Sequence, residues 1–126
     1  ADLNSFMQQF RLENVDFPES TLDYIGRIYG TEAPKILEIA RSRKEYAEPL
    51  NEDGEMLAHV LYAIRIEMAK TLKDIVFRRT GICTLGNPGE KVLTKVAKTA
   101  ARELKWSAAQ MKKEIASVKS ALAIPE

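Results

Sequence analysis

The chain has 126 residues, of which 45% are hydrophobic and 29% are charged, and this composition is that of one globular domain with a buried core. Its 19 Lys and Arg residues nearly balance its 18 Asp and Glu residues, so the net charge of +1 selects neither nucleic acid nor a membrane as a partner. A single Cys, Cys83, excludes an internal disulfide, and the single His, His59, leaves too few ligands for a zinc site built from Cys and His.

The first half of the chain predicts three helices and an acidic loop. Apolar residues recur on one side of residues 2–13, which is typical of an amphipathic helix. A second helix is expected to begin near Ser20, whose hydroxyl can cap free N–H groups, and to stop at Gly30. Thr31 is expected to cap a third helix, and an acidic loop begins at Pro49.

The longest periodic segment covers residues 55–80. Its main apolar row has spacings of four, four, four and three residues and consists of Val60, Ile64, Met68, Leu72 and Ile75. A continuous helix over this range would have about seven turns and a length of ~39 Å. We therefore predict one long central helix, ended by Gly81.

Two further helices are predicted near the C-terminus. Asn87-Pro88-Gly89-Glu90 combines a capping residue, a proline for the first turn and an acidic residue for a capping box. Ser107 and Gln110 form a second capping box, Trp106 is placed to pack against Met111, and the last helix is expected to reach Pro125. The sequence thus predicts an all-α fold, a single bundle of about six helices around one long central helix, in one domain over residues 1–126.

No catalytic or nucleotide-binding arrangement is evident in the chain. His59 lies beside the apolar row of the long helix, as residues at the edge of a core do, and Cys83 has no nearby Lys or His to activate its thiol. The glycine-containing loop 81–89 lacks the Gly-Lys-Ser/Thr ending and the preceding strand of a phosphate-binding loop. We therefore expect no catalytic, cofactor-binding or metal-ligating residue in this chain.

A row of basic residues follows the predicted helix that begins near Glu90. Residues 1–86 carry 11 basic and 14 acidic side chains, whereas residues 87–126 carry 8 and 4. The basic stripe consists of Lys91, Lys95, Lys98, Arg102 and Lys105. It is suited either to an anionic membrane surface or partner, or to ordinary solvent exposure. No aromatic side chain interrupts the stripe to stack on bases, so we expect no nucleic-acid partner.

A second group of polar residues lies within the predicted long helix. It consists of Arg65, Glu67, Asp74, Arg78, Arg79 and Thr80. Asp74 stands four residues before Arg78, which is the favourable order for an ion pair on a helix. Guanidinium groups organise an interface well when the helix that carries them is buried against a partner.

This segment carries a resemblance to a known family. Residues 62–80 read Tyr-Ala-Ile-Arg-Ile-Glu-Met-Ala-Lys-Thr-Leu-Lys-Asp-Ile-Val-Phe-Arg-Arg-Thr. They strongly resemble the signature of the C-terminal domain of FAD-dependent glycerol-3-phosphate dehydrogenases, Tyr-Ala-x-Arg-x-Glu-x-Ala-x-Thr-Leu-x-Asp-x-x-x-Arg-Arg-Thr. Arg27-Ile28-Tyr29-Gly30 and Leu104-Lys105-Trp106 are similar to flanking motifs of that family. The similarity covers roughly residues 20–120.

The resemblance implies a helical domain that follows a large FAD-binding domain in the same polypeptide. The whole enzyme would oxidise glycerol 3-phosphate to dihydroxyacetone phosphate and pass electrons from the flavin to quinone or to oxygen. We therefore expect a piece excised from the C-terminus of a larger flavoprotein, inactive alone and holding no cofactor, with FAD in the parent. Its partner would be the FAD-binding domain, contacted through the six polar residues of the signature. The location would be cytoplasmic, with peripheral contact at the cytoplasmic face of the membrane. The alternative function is that of an independent helical binding module whose basic stripe contacts an anionic partner or a membrane surface.

Two residues depart from the family pattern. His59 stands where an acidic residue is expected in many relatives, and Lys105 replaces the glycine before Trp106. A lysine is tolerated at such a helix end if its backbone is not left-handed. We therefore expect Lys105 to have an ordinary right-handed or extended backbone.

Overall fold

The computed structural model describes residues 3–123, and the regular elements among them are helices joined by loops and turns. They are α1 (Leu3–Glu13), α2 (Glu19–Tyr29), α3 (Ala33–Ser42), α4 (Leu57–Arg65), α5 (Leu72–Asp74), α6 (Glu90–Leu104) and α7 (Ala108–Leu122). Six of these have nine or more residues, which confirms the predicted all-α fold of about six helices. The expected helix ends at residue 2 and at Pro125 lie outside the described residues.

The predicted long central helix is wrong, because the chain leaves the helix after α4. Ile66 and Glu67 both donate their N–H groups to the Tyr62 carbonyl, at 2.9 and 3.3 Å, and Met68 has a left-handed backbone with φ of 64°. The helix resumes as α5 and continues directly as a π-helix over Ile75–Arg79. The break turns Met68 to the surface with 63% of it exposed, whereas a continuous helix would have placed it in the buried row.

The interruption lets the two halves of this segment pack on different neighbours. α4 contacts α3 and α6, whereas α5 contacts α7. Glu114 of α7 accepts the Leu72 N–H at 2.8 Å, and Thr71 accepts the Asp74 N–H at 3.1 Å, so the start of α5 is capped from both sides. Packing on α7 and local capping thus stabilise the start of α5.

Two buried clusters of apolar side chains make up the core on either side of α4. One lies against α6 and α7 and includes Val60 and Ile64 of α4. The other lies against α2 and α3 and includes Ala58 and Tyr62 of α4. All residues of α4 from Leu57 to Ile64 are buried, so this short helix occupies the centre that the sequence assigned to a longer one.

The helix starts agree with the predicted capping in part. Ser107 accepts the Gln110 N–H at 3.0 Å, as predicted. Asn87 does not cap α6: its side chain accepts the Gly89 N–H at 2.9 Å within the preceding turn, and the helix begins at Glu90. α2 begins before Ser20, at Glu19, and a 3₁₀ turn over Gly30–Glu32 precedes α3, so neither Ser20 nor Thr31 is the capping residue.

The end of α6 contradicts the expectation for Lys105, whose backbone is left-handed with φ of 60° and ψ of 42°. The N–H groups of Lys105 and Trp106 both bond the Ala101 carbonyl, and Trp106 packs against the core cluster beside α6 and α7. This arrangement is the common left-handed helix ending, which normally uses glycine because a side chain there is strained. Tertiary packing of Trp106 holds Lys105 in that conformation.

Replacing Lys105 by glycine is expected to raise the free energy of unfolding by about 1 kcal/mol, because glycine adopts the left-handed conformation without strain. Urea denaturation of the two proteins measures the difference. Lys98→Gly is the matched control: Lys98 is an exposed lysine inside α6, where glycine should lower the free energy by about 1 kcal/mol. A loss of stability in both variants would contradict the strain at Lys105.

Candidate docking surface at the interrupted helix

Arg65, at the last position of α4, forms a two-pronged ion pair with α6. Its Nε donates to Glu103 Oε2 and its Nη2 donates to Glu103 Oε1, both at 2.9 Å. These hydrogen bonds raise the pKa of Arg65 and lower the pKa of Glu103. The paired fork geometry fixes both side chains and ties the end of α4 to α6. Arg65 is thus engaged inside the domain.

The π-helix changes the ion pair predicted for Asp74. Arg79, not Arg78, donates to the Asp74 carboxylate, from Nε to Oδ2 at 3.2 Å. The wider turn of a π-helix brings residues five apart onto one face, whereas an α-helix does so for residues four apart. Thr80 follows the same geometry, since its hydroxyl donates to the Ile75 carbonyl at 2.8 Å. The predicted Asp74–Arg78 pair is wrong for this reason.

Arg78 is exposed and lines a cleft of about 460 Å³ between the π-helix and α7. Phe77, Lys73 and Glu114 line the same cleft. No ion pair of Arg78 with another described residue is present. Arg78 is therefore available to a group outside residues 3–123.

Glu67 lies in the break between α4 and α5, beside an aromatic cluster. Its Oε1 is covered by protein and accepts no hydrogen bond from any described residue. Burial, with a contribution from the Glu67 charge, raises the pKa of Tyr29 and raises that of Tyr62 to about 12. Tyr62 donates its hydroxyl to Glu32 at 3.0 Å rather than to Glu67. The carboxylate of Glu67 thus keeps hydrogen-bonding capacity that the domain does not use.

Large apolar side chains that neighbour these two charged residues in the sequence are exposed. Ile66 and Met68 flank Glu67 and are 43% and 63% exposed, and Phe77 precedes Arg78 and is 38% exposed. We call these five residues, 66–68 and 77–78, the docking surface. Sequence reasoning missed its apolar members because it assigned Met68 to the buried row and gave Ile66 and Phe77 no role.

Most of the signature residues serve the interior of the domain instead. Ala63, Ala69 and Leu72 are buried, Thr71 caps α5, and the polar residues Arg65, Asp74, Arg79 and Thr80 bond within the chain. The exposed apolar residues fall at positions that the signature leaves variable. The pattern therefore describes mainly how the interrupted helix is built.

Comparison with known proteins shows where the chain belongs. The family model described as the C-terminal domain of alpha-glycerophosphate oxidase matches residues 2–111. The chain is a member of this family. It is 28% identical over 110 residues to a probable mitochondrial glycerol-3-phosphate dehydrogenase of Dictyostelium discoideum, covering 86% of the chain and 17% of that protein. It is 30% identical over 97 residues to a glycerol-3-phosphate dehydrogenase of Synechocystis, covering 75% of the chain and 18% of that protein.

This member of the alpha-glycerophosphate oxidase C-terminal family thus spans less than a fifth of the length of the curated relatives it matches. No solved structure gives a significant match. No helix among the described residues is long and apolar enough to cross a membrane. In these longer relatives, the part that matches this chain is joined to a much larger remainder.

His59, which departs from the family pattern, is a core residue of α4. Its Nδ1 accepts the Met56 N–H at 2.9 Å, and its ring lies 5.6 Å from that of Tyr29. Burial lowers the pKa of His59 to about 4, which keeps the ring neutral at physiological pH. Its Nε2 has no hydrogen-bond partner among the described residues. His59 is therefore fully buried, whereas the sequence predicted a residue at the edge of the core.

Cys83 is buried in the core cluster beside α6 and α7. Burial raises the pKa of its thiol to about 11, so the thiol stays protonated and is a poor nucleophile. This agrees with the interpretation of Cys83 as an ordinary buried cysteine.

Glu55 is a buried carboxyl group in the acidic loop that the sequence predicts. It accepts the Gly81 N–H at 2.7 Å and an Asn51 side-chain N–H at 2.9 Å. Burial, together with the nearby Glu55 charge, raises the pKa of Tyr24 to about 12. A side chain at Gly81 would come within 3.1 Å of Tyr24 and Glu55. Glu55 therefore ties the loop before α4 to the turn that follows the π-helix.

The basic stripe is mostly exposed on α6. Lys91, Lys98, Arg102 and Lys105 are exposed, whereas Lys95 is partly buried and lies 3.4 Å from Glu48. A pair of this kind at the surface contributes at most about 1 kcal/mol. Four members of the stripe are thus exposed on the surface, and Lys95 pairs with a residue of the same domain.

Proposed function

We propose that this chain is the C-terminal accessory domain of an FAD-dependent glycerol-3-phosphate dehydrogenase and has no activity alone. The parent enzyme would oxidise glycerol 3-phosphate to dihydroxyacetone phosphate. The match of residues 2–111 to the family model carries this proposal, and the names of the relatives support it. The experiment that tests it is an assay of the full-length protein with glycerol 3-phosphate and a dye acceptor. Absence of dye reduction by a protein that contains FAD would contradict it.

The residues of this chain do not fit a dinucleotide. The chain contains no G-x-G-x-x-G sequence, which is the fingerprint of dinucleotide sites, and its glycine-containing loop 81–89 follows a π-helix rather than a strand. We therefore assign the FAD of the parent enzyme to the preceding domain. The role left to this chain is to pack on that domain.

The docking surface is our candidate for that contact. Ile66, Met68 and Phe77 offer apolar area, and Arg78 offers an exposed cation that forms no ion pair with a described residue. The ion pairs Arg65–Glu103 and Asp74–Arg79 and the hydrogen bond of Thr80 fix the conformation of the segment that carries these residues. Exposed apolar and aromatic side chains with an arginine among them match the composition that protein interfaces favour.

Placing a charge on this surface is expected to weaken the contact with the FAD-binding domain. We expect the double variant Met68→Asp, Phe77→Asp to lower the affinity of this chain for the separately produced FAD-binding domain by more than roughly tenfold, since two apolar contacts would be replaced by desolvated charges. Titration calorimetry measures the affinity.

Leu85→Asp is the matched control, because Leu85 is almost fully exposed but lies outside the docking surface. The control should bind like the unchanged chain. Equal affinities for all three proteins would rule out this surface as the contact, while leaving the enzymatic assignment of the parent to the assay above.

The exposed basic residues support a second use, contact with the cytoplasmic face of a membrane. We expect the chain to sediment with vesicles that contain anionic phospholipid at low salt and to be released as salt rises, because such attraction is screened within about 10 Å at 0.1 M. Neutral vesicles are the control. Failure to sediment with anionic vesicles even at low salt would eliminate this use of the stripe.

A further inference from the structure

Three arginines from different parts of the chain converge on one polar cleft. The cleft has a volume of about 440 Å³ and lies where α3, α4 and the last turn of α6 end near one another. It is lined by Arg43, Arg65, Arg102, Tyr46, Ser42 and Glu103, among others. Arg43 lies just after α3, Arg65 ends α4 and Arg102 lies near the end of α6, so the fold brings together residues up to 59 positions apart.

The charges of this cleft do not balance. Glu103 is its acidic lining residue, and both of its oxygens are engaged by Arg65. Arg43 is exposed, lies 3.4 Å from Glu45 and sits 5.9 Å from the centre of the Tyr46 ring. Arg102 is exposed and forms no ion pair with a described residue. The lining residues carry three positive charges and one negative charge, a net charge of about +2, and Glu45, which pairs with Arg43 at 3.4 Å, lowers this to about +1.

A second explanation for these cations is that they offset the partial negative charge at helix C-termini. It accounts for Arg65 and Arg102, which lie in last turns. It does not account for Arg43, whose backbone is extended after the end of α3. The carbonyls near the ends of α4 and α6 are also bonded already, to Ile66 and Glu67 at Tyr62 and to Trp106 at Ala101.

We propose that this arginine-lined cleft binds a phosphate group, carried either by a soluble phosphate monoester or by an anionic lipid headgroup. A phosphate group near neutral pH carries a charge of about −1.5 to −2 and is attracted by the excess positive charge of the cleft. Guanidinium groups present paired N–H donors that suit phosphate oxygens. Arg43 and Arg102 would contact the phosphate, and Arg65 would add its field while remaining paired with Glu103.

The test is a titration of the 126-residue chain with inorganic phosphate at constant ionic strength, with chloride as the balancing salt. NMR signals of the arginine side chains report both the affinity and the place of binding. We expect saturable shifts at Arg43 and Arg102 with half-saturation at roughly millimolar phosphate. Arg43→Gln and Arg102→Gln should each raise the half-saturating concentration at least about fivefold. Both arginines are exposed, so neither change should prevent folding.

Lys113→Gln is the matched control, because it removes one exposed positive charge that lies outside both the cleft and the basic stripe. Its half-saturating concentration should stay within about twofold of the unchanged chain. Shifts that are unsaturable, or that weaken equally in all three variants, would overturn the proposal in favour of general charge attraction.

A second arm separates the two sources of phosphate. Vesicles containing phosphatidic acid are tested for retention of the chain, with the same variants. Retention that Arg43→Gln abolishes and Lys113→Gln preserves would assign the cleft to a lipid headgroup. Binding of inorganic phosphate without retention on vesicles would assign it to a soluble phosphate monoester, and binding of neither would overturn the proposal. Because neither Arg43 nor Lys113 belongs to the docking surface or to the basic stripe, the comparison of these two variants is separate from both.

Discussion

Replacing Glu55 by alanine is expected to lower the free energy of unfolding by about 3 kcal/mol. The change leaves the Gly81 N–H and an Asn51 side-chain N–H without the carboxylate that accepts them. Each buried donor left unsatisfied costs roughly 1–3 kcal/mol where water cannot replace the acceptor, and the missing side chain adds a cavity. Partial access of water to the loops reduces the sum. Urea denaturation of the chain measures the loss.

Glu52→Ala is the matched control, because Glu52 lies in the same loop and is exposed. It should change the free energy of unfolding by less than about 0.5 kcal/mol. Glu55→Gln retains an oxygen that can accept the Gly81 N–H, so it should lose less than Glu55→Ala. If Glu55→Ala matched Glu52→Ala in stability, the carboxyl group would not hold the two loops together.

The helices that the sequence located correctly are those with local signals. The amphipathic faces of α1, α2, α3, α6 and α7, the stop at Gly30 and the Ser107 cap all depend on residues within a few positions of one another. Such signals act on the chain before tertiary structure does, which is why they can be read without it. Errors of one or two residues remained at Ser20 and Thr31.

The prediction of one long helix is wrong because the regular spacing of its apolar residues does not keep them on one face of a helix. At 100° per residue, steps of four residues turn the row by about 40° each time, so Leu72 lies some 120° away from Val60 on a straight helix. That drift was a signal against one buried stripe. The structure resolves it by breaking the helix near Met68 and packing α5 on α7.

The candidate site was predictable as a segment but not as a set of contacts. The signature over residues 62–80 located the interrupted helix. Its pairings depend on tertiary structure: Arg65 meets Glu103, 38 residues away, and Asp74 meets Arg79 because a π-helix forms. Nothing local marks Glu55 as buried either, since the residues that surround it come from α2 and from the turn at Gly81.

Acidification from pH 6.5 to pH 4 is expected to lower the free energy of unfolding by up to about 3 kcal/mol through His59 alone. Burial lowers the pKa of His59 from 6.5 to about 4 in the folded chain, and each unit corresponds to about 1.4 kcal/mol. Above pH 6.5 the His59 ring is neutral in both the folded and the unfolded chain, so it adds no pH dependence to the free energy of unfolding. Between the two values the unfolded chain binds a proton that the folded chain does not, so stability falls as pH falls; below the folded pKa the loss levels off.

His59→Asn isolates this contribution, since an asparagine oxygen can accept the Met56 N–H as Nδ1 does but does not titrate. Urea denaturation from about pH 4 to about pH 8 should show a steeper acid loss in the unchanged chain, while the carboxyl titrations common to both proteins cancel. Parallel curves would contradict the assignment. Because His59 is the single histidine of the chain, NMR of its ring gives the folded pKa directly, and a midpoint near 6.5 would show that the ring is reached by water.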